Sequence, residues 1–152
     1  NFKKQLEANR DQPILLVVGM LGTTEEGAID PIQQIVEIRK HSETQHNKSF
    51  FIKADGAWGG YSLSLQHRSK DPITKKHFES NAEYYSNILS DLNAIRECDA
   101  IEIDPHKMGY VPYAAGSVFF KDTRYKNFIY KEAPYLATGG SDDFTERIYL
   151  GG

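Results

Sequence analysis

Residues 14–18 read ILLVV, an unbroken apolar run rich in branched side chains. Such a run predicts a strand covered on both faces, the environment of a parallel sheet. A turn rich in Gly and Thr follows. In the next stretch, IDPIQQIVEIRKH, Asp30 is placed to cap a helix, Pro31 suits its first position, and Ile32, Ile35 and Val36 fall on one face. Arg39 and Lys40 near the end of that stretch favour the negative pole of the helix. SFFIKAD predicts a second strand ending at Asp55 and AIEID a third ending at Asp104, with a long polar, helical stretch between them. Strand, helix, strand repeats of this kind predict an α/β fold with a mainly parallel sheet flanked by helices. SVFFKD reads as a further strand, the segment from Thr123 starts as a helix and runs into a loop, and the polar residues 66–77 belong at the surface.

The chain has 152 residues, the size of one domain. It starts without a methionine and stops soon after a loop-like segment, so residues 1–152 are expected to form part of a larger domain. A net charge of −3 with 26% charged residues argues against a basic nucleic-acid binder, and no apolar run has the length of a membrane span. The single cysteine, Cys98, has no internal disulfide partner, fits a reducing compartment and reads as a small packed hydrophobe. His41, His46, His67 and His77 lie in polar stretches without ligand spacing, so no metal site is expected. No Gly-rich dinucleotide fingerprint follows the first strand.

Ligands of open α/β sheets gather at the carboxyl ends of the strands. Three groups of interest fall there. Thr23, in GTTEEGAID, can offer a hydroxyl to an anion or can pair with Glu26 as a capping box. Asp55, in ADGAWGGY, can meet a flat ligand among small residues or can cap its own turn. Lys107, in DPHKMGYVPYAAG, is either a surface cation or an amine nucleophile, with His106 beside it to tune the site. An acid at one strand end and a lysine at a later one match what a pyridine aldehyde cofactor requires: an imine-forming amine and a partner for the ring nitrogen.

The stretches GTTEEGAIDPI, ADGAWGGY and DPHKMGYVPYAAGSVFF resemble, in order and style, the group II pyridoxal-phosphate-dependent amino-acid decarboxylases, closest to the bacterial tyrosine branch. The resemblance implies part of the large cofactor-binding domain of a type I (aspartate-aminotransferase-like) enzyme and a carboxy-lyase acting on a tyrosine-like L-amino acid. It also implies a cytoplasmic homodimer with pyridoxal 5'-phosphate as cofactor, and no nucleic-acid or membrane partner. By that resemblance Lys107 carries the cofactor as a Schiff base, Asp55 pairs with its pyridine nitrogen, Ala57 packs on one ring face, and Thr23 and His106 lie close by. Tyr135, with Tyr130 as the alternative, matches the loop tyrosine that returns a proton after carbon dioxide leaves. Asp104 stands where many animal and plant members carry asparagine, at a position associated with the phosphate. An acid there repels a dianion unless it points away or a donor intervenes. The histidine stacking on the other ring face and the main phosphate-binding segment lie outside these residues, so residues 1–152 alone are expected to be inactive. Another reaction on the same cofactor, carbon–carbon cleavage or transamination, and a catalytically silent paralogue remain the alternatives.

Overall fold

The computed structural model describes residues 2–9, 12–66, 72, 76 and 79–125. Four strands, β1 (Leu16–Met20), β2 (Phe51–Gly56), β3 (Ala100–Ile103) and β4 (Ser117–Phe120), form one sheet in the order β1-β2-β3-β4. The first three run parallel, in the register Val18 to Lys53 and Asp55 to Glu102, and β4 returns antiparallel against β3. The architecture is the mainly parallel α/β sheet that the alternation of strands and helices implies.

Helix α1 (Phe2–Ala8) precedes the sheet, α2 (Ile32–His46) connects β1 to β2, and α3 (Ala82–Ala94) lies between β2 and β3. Both crossovers step the same way across the sheet, and right-handed crossovers in one direction place both helices on one face. That face is the core. Ile52 and Ala54 of β2 are fully buried beneath Ile32, Ile35 and Val36 of α2 and Leu92 of α3, and Cys98 joins the same cluster. Burial pushes the Cys98 thiol up to about 11, so it packs as a hydrophobe.

The opposite face corrects the expectation for the first strand. β1 begins at Leu16, two residues later than the apolar run, and Leu16 and Val18 are 51% and 44% exposed. The cause is topological, because β1 is an edge strand whose outward side chains no described helix covers. The Tyr125 ring meets Phe51 edge-on at 5.0 Å and reaches Phe120, giving this face a small aromatic cover at one corner.

Helix α2 also starts differently from its sequence. Pro31 occupies the cap position without a side-chain hydrogen bond, and the Asp30 carboxylate accepts the Met20 N–H at 2.7 Å, tying the connecting loop back to β1. The cap comes from the neighbouring helix: Asp91 of α3 accepts the Gln33 N–H at 2.9 Å. The helix runs past the expected end to His46 and stops at Asn47, whose left-handed backbone (φ 52°) returns its N–H to the Glu43 carbonyl. Arg39 and Lys40 therefore sit in mid-helix. Arg39 is buried and bonds Asp99 at 2.6 Å and the Glu97 carbonyl at 2.5 Å, and the same Asp99 oxygen accepts the Ile52 N–H. This cluster fastens the amino-terminal ends of β2 and β3 to α2.

After β4, residues Thr123–Tyr125 form a single 3-10 turn, and the rest of the expected helix and loop lies outside the described residues. Most of residues 66–77 lies outside them too. Among the described residues, no helix is long and apolar enough to cross a membrane.

Candidate active site

Every described candidate residue lies at the carboxyl end of one of the three parallel strands or in the loop that follows it. Backbone contacts lock these loops to each other. Leu21, just past β1, donates its N–H to the Asp55 carbonyl at 2.7 Å. Gly22 then turns with φ +93° so close to the second loop that a Cβ there would lie 2.9 Å from the Gly59 Cα. On the other side of β2, a Cβ on Gly56 would lie 2.8 Å from the Glu102 carbonyl oxygen, and Asp104 donates its N–H to the Ala57 carbonyl at 3.4 Å. Small residues in LGTT and GAWGG thus let three loops converge without intervening side chains.

Thr23 is committed to its own loop. Its hydroxyl accepts the Ala28 N–H at 3.0 Å and faces Glu26 at 3.5 Å, while Gly27 N–H returns to the Thr23 carbonyl. The Thr23–Glu26 pairing expected of a capping box is present, but it closes a turn and no helix follows.

Asp55, the fifth residue of β2, alternates away from the buried Ile52 and Ala54, on the same face as Lys53. One of its carboxylate oxygens accepts the Ala57 N–H at 3.2 Å, the local turn cap that its sequence allows. Across the strands its register partner is Glu102, which is ion-paired with Lys53. Lys53 thereby offsets the charge of the acid that faces Asp55 across the strands.

The third loop leaves β3 at Asp104 and folds into a tight turn in which Lys107 N–H bonds the Asp104 carbonyl at 3.0 Å. Asp104 is 9% exposed, and its carboxylate lies 3.0 Å from Lys107 Nζ and 4.0 Å from His106 Nε2. The Lys107 side chain remains 35% exposed, open to a ligand from the loop side. His106 Nδ1 lies 2.5 Å from the Ala115 carbonyl, which can only accept, so Nδ1 carries the proton and Nε2 is turned toward Asp104. Tyr113 meets the His106 ring edge-on at 4.7 Å. Sequence reasoning missed both this ring contact and the Asp104–Lys107 pair. The only sequence signals for them are the three-residue spacing of the acid and the lysine and the tyrosine within the same motif. Tyr135 and Tyr130 lie outside the described residues.

Chemically, an amine and a carboxylate stand at the carboxyl ends of adjacent strands, in loops thinned by glycine. Beyond the Ala57 N–H, its one hydrogen-bond partner among the described residues, the Asp55 carboxylate retains acceptor capacity, since a carboxylate has about four lone-pair sites. An imine-forming amine and a carboxylate with a free acceptor site are the groups that a flat aldehyde cofactor with a basic ring nitrogen requires.

No family model matches the chain. Individual proteins do. It is 36% identical over 140 residues to the L-tyrosine decarboxylase of Enterococcus faecium, an alignment covering 85% of this chain and 23% of that protein. It is 37% identical over 142 residues to the L-tyrosine decarboxylase of Levilactobacillus brevis, covering 86% and 22%. These relatives are amino-acid decarboxylases, consistent with the group II family that the motifs resemble. The chain spans less than a quarter of the length of those two curated relatives. Its fold is also that of the Oryza sativa TDC structure with PLP and tryptamine, at a TM-score of 0.58 and 19% identity over 93% of this chain and 24% of that one.

Proposed function

We propose that the protein is a pyridoxal-phosphate-dependent decarboxylase that converts an aromatic, tyrosine-like L-amino acid to its amine and carbon dioxide. The observation that carries this reading is Lys107 and Asp55 at the carboxyl ends of neighbouring parallel strands, in a chain more than a third identical to two L-tyrosine decarboxylases. Residues 1–152 would form part of the cofactor-binding domain of that enzyme, and a homodimer in the cytoplasm is the assembly and compartment we infer for it.

Bound at these loops, pyridoxal phosphate would supply a protonated pyridine able to accept the electron pair left when carbon dioxide departs. The chain's own residues have separate tasks. Lys107 would hold the cofactor through its Nζ and release it to the incoming amino group. Asp55, whose neighbour Glu102 is ion-paired with Lys53, would keep the proton on the ring nitrogen, an electrostatic stabilisation of the kind that dominates many enzymes. Ala57, held between Asp55 and Asp104 by its two backbone bonds, would offer a small flat surface to one ring face. Thr23 would border the site through its loop. His106, its Nδ1 fixed by the Ala115 carbonyl, would present Nε2 near the reacting carbon, and Tyr135 would return the proton there.

Borohydride treatment of the full-length protein with pyridoxal phosphate should fix the cofactor on Lys107, as read by peptide mass. Lys107→Ala should lose both that adduct and turnover; a variant that kept them would sink the assignment. Product analysis with tyrosine separates the reactions: tyramine and carbon dioxide mark decarboxylation, whereas a keto acid or an aldehyde marks transamination or carbon–carbon cleavage.

A further inference from the structure

We propose that Asp104 is a positioning residue that holds the Lys107 amine whenever that amine is not bonded to a carbonyl compound. Its value to the reaction rests on the reading above, in which Lys107 is the cofactor lysine; the pairing itself does not.

The geometry is specific. Lys107 sits three residues after Asp104 in a turn closed by its own N–H to the Asp104 carbonyl, so the acid and the amine share one rigid frame. The carboxylate is almost fully buried and its Oδ2 faces Lys107 Nζ at 3.0 Å. Its other oxygen lies against Gly116, where a Cβ would come within 3.1 Å of it. His106 is held through Nδ1 by the Ala115 carbonyl, and its Nε2 stays 4.0 Å from the acid, farther than the 3.0 Å of Lys107 Nζ. Lys107 is thus the nearer partner of the buried acid. An unpartnered charge at such a depth is costly. A free lysine side chain samples many rotamers, and this pairing confines Lys107 to the mouth of the site.

The test uses the full-length protein freed of cofactor. An amine-acylating reagent, with Lys107 followed by peptide mass, should modify Lys107 several-fold faster in Asp104→Asn than in the wild type, because the amine is released. Equal rates would overturn the proposal. Lys107→Met offers an independent check: it leaves the buried acid alone, so its melting temperature at neutral pH should fall below that of the wild type and recover in the double variant with Asp104→Asn. A single variant as stable as the wild type would overturn the proposal too. Pyridoxal, which lacks the phosphate, separates two roles for the acid. If Asp104→Asn speeds capture of pyridoxal and pyridoxal phosphate alike, Asp104 acts on the lysine; acceleration with the phosphate ester alone would assign it to the phosphate and refute the proposal. Failure of wild-type Lys107 to give any borohydride-fixed adduct would defeat the decarboxylase reading while leaving the acylation result to decide the pairing.

Discussion

Asp91 shows how a single side chain can do work that its own helix does not need. It lies in α3 yet caps α2, accepting the Gln33 N–H where Pro31 offers no side-chain cap. Burial raises the pKa of its carboxyl and the Gln33 hydrogen bond opposes that shift, so the acid is held in a partly desolvated seam between two helices. Asp91→Ala should cost about 1 kcal/mol, the usual worth of a helix cap, measured as a lower denaturation midpoint with an unchanged slope. Gln33, one position into α2, gives no hint in the sequence that its donor is met from 58 residues away. Asp30 misleads for the same reason: its place before Pro31 fits a cap, but the Met20 N–H is closer to its carboxylate. Local patterns tell which residues can cap, and only the packing of elements decides which do.

Among the elements, the loops after the strands carry the most information in the least sequence. Gly22 and Gly27 bound the same turn and both have positive φ, but only Gly22 touches another loop. Gly27→Ala should therefore cost only the left-handed backbone penalty of about 1–2 kcal/mol. Gly22→Ala adds a clash with Gly59 and should cost more, together with a loss of cofactor affinity that Gly27→Ala does not show. Denaturation midpoints and cofactor titration of the two variants check this. The strands β2, β3 and β4 were legible because their apolar runs are short, branched and bounded by polar turns. β1 was legible in kind but not in register, since Ile14 and Leu15 extend the apolar run beyond the paired residues. At the candidate site, the motifs bring Asp55, Ala57, Lys107 and His106 forward as candidates. They do not bring forward the salt bridge that Lys107 makes, because motif spacing does not say which rotamer a lysine adopts.

At the scale of the molecule, two crossovers stepping the same way leave one sheet face with exposed Leu16, Val18 and Val118 around the Lys53–Glu102 pair. Residues 1–152 expressed alone should bind an apolar fluorescent dye at this face, and Leu16→Lys with Val18→Lys should abolish most of that signal. The same protein should release no carbon dioxide from tyrosine, because its length is under a quarter of that of the relatives that share its sequence. Measurable turnover would show that the described loops suffice. The sheet also has two unlike ends. At one, Arg39, Asp99 and the Glu97 carbonyl rivet strands to helix; at the other, glycine-thinned loops present Asp55 and Lys107. If the proposed function holds, mutational drift at the riveted end would change how long the scaffold survives and drift at the loop end which molecule the enzyme transforms, so that its chemistry could be retuned without its being refounded.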